Sequence, residues 1–173
     1  MPEEMRVTEP RPTVERDAFL AAMRQVAATV TVVTTEGPGG RVGATVSAFT
    51  SLSADPPSVL VCLRADSRIA RAVTRNGGFC VNVLPEDAVE VARAFAGPSP
   101  EDAAARFAGL DIAVQEHGPR LPRATAFSCA LSEYLLHGTH AICIGQVVAL
   151  SVAGEKPLTY LSGSYHRVHP HEG

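Results

Sequence analysis

Residues Gly43 to Pro57 (GATVSAFTSLSADPP) constrain this chain most, because extended-favouring and small hydroxyl side chains run on until two consecutive prolines stop them. Side chains this small cannot fill a core alone, and they leave the backbone open to a flat polar ligand. Immediately upstream, Thr29 to Thr35 (TVTVVTT) is an unbroken β-branched run, and Gly37-Pro38-Gly39-Gly40 separates it from a second extended stretch, Arg41 to Phe49. Two such runs divided by a glycine-proline turn read as a β-hairpin. After the proline pair, Val59 to Leu63 (VLVCL) is a short apolar strand.

The remaining pattern is also dominated by strands. Phe19, Leu20, Met23 and Val26 recur at helical spacing, which predicts a short amphipathic helix over Asp17 to Val26. Ser67 is a natural N-cap for a helix from Arg68 to Thr74, and Asn76-Gly77-Gly78 ends it. Phe79 to Leu84 (FCVNVL) reads as a strand. Pro85 opens a helix with Val89, Ala92 and Phe95 on one face, and Ser99-Pro100 starts another through Phe107. Ser128 to Leu136, His140 to Val152, Leu158 to Leu161 and Tyr165 to Val168 complete the strands. Many short strands with hairpin-length links imply a mainly β (α+β) fold, an antiparallel barrel or sandwich with a few peripheral helices. The expected organisation is a flexible arm over 1–14, one domain over 15–169 and a short tail over 170–173.

Several function classes are disfavoured. A net charge of −3, with no run of Lys and Arg along the chain, offers no footprint for nucleic acid. No stretch is apolar enough for a signal peptide or a membrane span, so a cytoplasmic protein without membrane association is expected. Cys62, Cys80, Cys129 and Cys143 are widely spaced among apolar neighbours and read as reduced, mostly buried thiols. No metal site is expected, although His166, His169 and His171 cluster near the end.

Two elements could serve a ligand that has a flat ring and a phosphate. The backbone of Thr45 to Ala48 can offer N–H and C=O groups beside small side chains. Ser67-Arg68 adds helix N-terminal N–H groups, a hydroxyl and a guanidinium. Both elements also fit a structural role, as an ordinary hairpin and an ordinary helix cap.

The order of the motifs carries more. GATVSAFTSLSADPPSVLVCL, the Ser67-Arg68 helix start, FCVNVL, Phe95-Ala96-Gly97, Arg106-Phe107-Ala108-Gly109, GTHAICIGQVV and PLTYLSGSYHRV follow in sequence. From about Phe19 to Val168 the chain resembles the flavin reductase-like proteins, the reductase components of two-component flavin monooxygenases. The resemblance implies an antiparallel Greek-key split β-barrel of the FMN-binding type, usually a homodimer. It also implies an enzyme that moves a hydride from NADH or NADPH to FMN or FAD, with reduced flavin passing to a separate monooxygenase. It places Thr45, Val46, Ser47 and Ala48 at the flavin ring and ribityl chain, Cys62 and Leu63 beneath the ring, and Ser67, Arg68 and Ile69 near the phosphate. Asn82 is a further candidate for that pocket. His140 resembles the family's nicotinamide-side histidine and is the catalytic candidate, while Tyr165 and His166 resemble the segment lying against the nicotinamide nucleotide.

Two positions depart from the family pattern. Many relatives have serine where Ala48 stands and an acidic residue where Thr139 stands. Hydride transfer between two cofactors requires alignment and water exclusion and no protein nucleophile, so neither change removes a required group. Two other functions stay open at this stage: a flavoprotein that holds FMN tightly without acting as a reductase, and an oxidase of the pyridoxamine-phosphate type.

Overall fold

The β-branched run becomes a strand buried on both faces. In the computed structural model, which describes residues 12–98 and 101–171, β1 (Ala28–Thr29) leads into β2 (Thr31–Thr35), every residue of which is buried. Burial on both sides explains why the run is continuous rather than alternating. Its three threonines survive there because each hydroxyl donates to a carbonyl: Thr31 to Val46 (2.6 Å), Thr34 to Pro119 (2.7 Å) and Thr35 to Gly78 (2.7 Å).

The predicted strand Arg41 to Phe49 is two strands. β3 (Val42–Val46) pairs with β2, the chain turns at Ser47-Ala48, and β4 (Phe49–Ala54) forms a new hairpin with β5 (Pro57–Arg64). The hydroxyl-rich stretch is therefore an exposed edge strand, and Pro57 lies inside the strand that follows. A sheet edge tolerates both, since an edge neither needs large side chains nor uses every N–H.

Seven strands form the main sheet in the order β3-β2-β6-β7-β8-β5-β4, all antiparallel, with β6 (Gly78–Val83), β7 (Thr125–His137) and β8 (His140–Ser151) at its centre. The sheet curls until its end strands β3 and β4 are joined at Ser47-Ala48, and the Cys62 N–H donates to the Ala48 carbonyl at 3.0 Å, extending the β4–β5 ladder by one pair. Helix α2 (Arg68–Asn76) plugs the curl, with Ile69, Ala70, Ala72 and Val73 packed against Val33, Val61, Phe79 and Val81. Ser67 caps it by accepting from the Ala70 N–H, and Gly77 closes it at φ +72°, in the left-handed region that glycine occupies without strain.

A smaller sheet of β1, β9 (Thr159–Leu161) and β10 (Ser164–His166) covers the other side of β2. Between the sheets lies a second core of Val30, Val32, Leu84, Phe95, Phe107, Leu121 and Leu158. Arg106 locks its rim. Its guanidinium donates to the carbonyls of Gly43, Phe95, Ala96, Gly97 and Pro98 at 2.7–3.2 Å, a fan of acceptors that lysine cannot match.

The two helices after β6 start later than their sequence signals suggest. Pro85 forms an isolated bridge to Pro157, and α3 is confined to Val89–Ala94. The segment through Phe107 is a 3-10 helix, Ala103–Phe107, capped by Asp102, whose carboxylate accepts from the Ala104 N–H. Ser99 and Pro100 lie outside the described residues, as do residues 1–11 of the expected arm and Glu172 and Gly173 of the tail. Helix α1 (Arg16–Met23) forms as expected but buries nothing within the chain; Phe19 is 53% exposed and Met23 48%.

Candidate active site

Strand alternation decides which residues can meet a ligand. Along β5, Val59, Val61 and Leu63 point into the barrel core, and Leu60 and Cys62 point outward. On this outer face a cleft of about 750 Å³ opens, a size typical of small-molecule sites. Its floor is Leu60 and Cys62, one wall is the Ser47-Ala48 corner with Thr50, and Phe49, whose ring packs on the barrel core beside Phe127, borders it. The opposite wall is α1 and its exit, with Leu20, Met23, Val26 and Thr29, and the mouth is bounded by the β9–β10 turn, Tyr160 to Gly163.

This lining suits a flat ring with polar edges. The floor and α1 supply apolar surface for a ring face. Among the described residues the hydroxyls of Ser47 and Thr29 have no protein hydrogen-bond partner, so both can serve a ligand. Ala48 lines the cleft without a side-chain hydrogen-bonding group, and its carbonyl already accepts from the Cys62 N–H.

The expected site residues divide accordingly. Ser47, Ala48 and Cys62 line the cleft together. Thr45 and Val46 do not: the Thr45 hydroxyl donates to Ala92 O (2.6 Å), its N–H donates to Phe95 O (3.0 Å), and Val46 is buried in the barrel core. Leu63 is 3% exposed and faces that same core. For Leu63 the cause is strand parity, since a strand offers only alternate residues to one face, and Thr45 and Val46, on opposite faces of β3, pack against the α3 end and the barrel core.

Asn82 is the clearest correction. It is fully buried and belongs to the sheet, with Nδ2 donating to Val32 O (3.1 Å) and the Thr34 hydroxyl (3.2 Å), and Oδ1 accepting from the Leu121 N–H (2.8 Å). Its carboxamide stitches the 119–121 segment to β2 and β6 and has no access to the cleft.

At the α2 end, the Ser67 hydroxyl donates to Arg64 O (2.6 Å) while capping the helix, so it is committed on both sides. Ile69 is buried in the core and can offer only its N–H, one of those that a helix leaves unpaired in its first turn. Arg68 donates to Glu101 O at 2.6 Å.

His140 opens β8 directly opposite Arg64, two residues along from the Cys62–Ile142 pair and on the same outward face. Its Nδ1 lies 3.0 Å from the Thr139 hydroxyl, so the neighbouring threonine can orient the ring. Tyr165 packs edge-on to Tyr160 (5.3 Å between centroids) under the Arg93 guanidinium, and His166 Nε2 lies 3.2 Å from Leu161 O. Neither lines the cleft, although Tyr165 supports Tyr160, which does.

Sequence reasoning missed the α1 wall, Phe49, Leu60 and the Tyr160–Gly163 turn. The apolar spacing of α1 was visible, but only the fold shows that no core covers it. Of the four thiols, burial pushes Cys80 and Cys129 up to about 12 and Cys143 to about 11. Only Cys62 is partly open to solvent. No three His, Cys, Asp or Glu side chains converge among the described residues, and no described helix is long and apolar enough to cross a membrane.

Residues 23–169 match the model of the flavin reductase like domain, and the chain belongs to that family. It is 39% identical over 160 residues to an FMN reductase (NADH) RutF of Ancylobacter novellus, covering 91% of this chain and 87% of that protein. It is 34% identical to the reductase component of 4-nitrophenol 4-monooxygenase/4-nitrocatechol 2-monooxygenase of Rhodococcus opacus, covering 91% and 83%. Among solved structures, the NADH:FAD oxidoreductase SgcE6 of Streptomyces globisporus, in complex with NAD and FAD fragments, superposes with a TM-score of 0.82 at 26% identity, covering 92% of this chain and 96% of that one. The fold is thus the split barrel of flavin reductases, and the chain is an enzyme of that class.

Proposed function

We propose that this chain is an NADH:flavin oxidoreductase that reduces FMN or FAD in the cleft beside Cys62 and releases reduced flavin to a separate monooxygenase. The observation that carries the reading is the pairing of an apolar floor with the unpartnered Ser47 hydroxyl, in a chain of the flavin reductase-like family. Relatives named as NADH-dependent FMN reductases and as monooxygenase reductase components support the donor and the partner class.

Bound flavin supplies the two-electron acceptor, so the protein has to align and seal. Leu60 and Cys62 support one ring face, and Ser47 and Thr29 hold polar edges by hydrogen bonds. The first-turn N–H groups of α2 and the Arg68 guanidinium receive the phosphate, where helix dipole and cation act together. Leu20 and Met23 exclude water from the far side. His140 stands on the nicotinamide side, held by Thr139, and helps keep the donor within the roughly 3 to 3.5 Å that reacting atoms need.

The working form is a homodimer. Phe19 and Met23 on α1, Leu136 (69% exposed) on β7, and Val148 and Leu150 on β8 are large apolar side chains left open in the single chain. A second subunit would bury them and complete the α1 wall.

The test mixes purified protein with FMN and NADH without oxygen and follows loss of the yellow colour. Rapid bleaching that needs the protein supports the reading, whereas FMN that binds and stays oxidised with both NADH and NADPH overturns it. Gel filtration at the mass of one chain, with turnover intact, would remove the dimer.

A further inference from the structure

A second concavity, of about 430 Å³, lies between α2, the turn of the β2–β3 hairpin and the 3-10 helix. Four guanidinium groups line it, Arg41, Arg68, Arg71 and Arg75, against the single carboxylate of Asp102. Three of them follow from the sequence: Arg68, Arg71 and Arg75 are spaced three and four apart, which puts them on one face of α2, opposite the buried Ile69 and Val73. Hairpin packing adds Arg41, because Asn76 at the end of α2 accepts from the Gly39 N–H and donates to Gly40 O.

Most of the local polar groups are already accounted for. Arg41 pairs with Glu36 (2.7 Å), Arg71 Nη1 donates to Asp66 O (2.7 Å), and the Asp102 carboxylate accepts from Ala104. Among the described residues neither Arg71 nor Arg75 has a carboxylate within ion-pair distance. Four arginines around one hollow are not a general property of a chain with net charge −3. The hollow is concave and floored by Gly39, Gly40, Ala72, Ala103 and Ala104, a shape for a small phosphorylated molecule rather than for a protein surface. Planar guanidiniums bind phosphate oxygens in pairs.

The hollow begins at Arg68, the first residue of α2, where the flavin phosphate is placed above. From there to Arg75 the helix advances about 10 Å, enough for a phosphate chain to continue along its face. We propose that the arginine hollow binds the adenosine-phosphate half of a dinucleotide, which FAD, NADH and NADPH possess and FMN lacks. The assignment rests on the flavin reductase reading for its ligand class, and the arginine geometry stands independently of it.

The experiment compares the wild-type protein with R71A/R75A, two exposed helix positions where alanine preserves helix propensity. Circular dichroism first establishes that both are folded. Calorimetric titration with ADP should show binding to the wild type that weakens about tenfold or more in the variant, as expected for losing charge-assisted phosphate contacts, and that weakens with added salt. Steady-state KM values then identify the source. A KM for FAD that rises relative to FMN assigns the hollow to the flavin. A KM for NADH or NADPH that rises with FMN as acceptor assigns it to the nicotinamide nucleotide. ADP binding equally to both proteins or to neither, with all KM ratios unchanged, overturns the proposal. If neither protein reduces flavin but the ADP difference persists, the proposed function falls and the hollow stands.

Discussion

Replacing Asn82 with alanine separates a structural role from a ligand role at one residue. The substitution removes the acceptor of the Leu121 N–H at 2.8 Å and the donor to Val32 O and the Thr34 hydroxyl, all at a position with no solvent access. An orphaned buried N–H costs about 1 to 3 kcal/mol, and the two lost donor bonds and the small void add to it, for roughly 3 kcal/mol in all. With a urea slope of about 2 kcal/mol/M, the unfolding midpoint should fall by about 1.5 M. The assay is urea unfolding followed by circular dichroism, with FMN affinity measured at low urea on the same preparation. Stability should drop while FMN affinity stays within about twofold. A midpoint within about 0.3 M of the wild type, together with FMN binding weakened tenfold, would refute the reasoning by placing Asn82 against the flavin.

Three further outcomes follow from other parts of the structure. Cys62, alone partly open among four thiols, should be the one alkylated in the folded protein, FMN should slow that reaction, and mass spectrometry of digested protein reads both; faster labelling of Cys80 would contradict the burial. Arg106→Lys should destabilise the protein by about 2 kcal/mol, because three ammonium donors cannot satisfy five carbonyls, and thermal unfolding would record it. Stability should fall as pH rises above about 9. Burial holds the Cys80, Cys129 and Cys143 thiols neutral up to about 11 to 12, so the unfolded chain loses those protons first and alkali favours it; melting temperatures between pH 8 and 10 test this, and C80A/C129A should flatten the slope.

Much of this was legible in the chain because the strands carry strong local signals. The run Thr29 to Thr35 and the GPGG turn specify the β2–β3 hairpin, and Ser67 and Gly77 bracket α2 as their capping chemistry requires. The turn at Ser47-Ala48 was hidden, because neither residue marks a corner; long-range pairing with β5 makes it, through Ala48 O and Cys62 N–H. Strand parity separated Cys62 from Leu63, and the sequence does not say which face is the core. Asn82 looked like a polar group in search of a ligand, and only the return of the 119–121 segment shows what it binds. The arginines of α2 could have been read from their spacing, but Arg41 joins them through tertiary packing alone.

The central claim is hydride transfer from a nicotinamide nucleotide to flavin at this chain's own cleft. Its most direct test is initial-rate oxidation of NADH and NADPH, each crossed with FMN, FAD and no flavin. The account predicts NADH oxidation that depends on added or bound flavin and is lost when Cys62 is alkylated; absence of flavin-dependent oxidation with both nucleotides would contradict it.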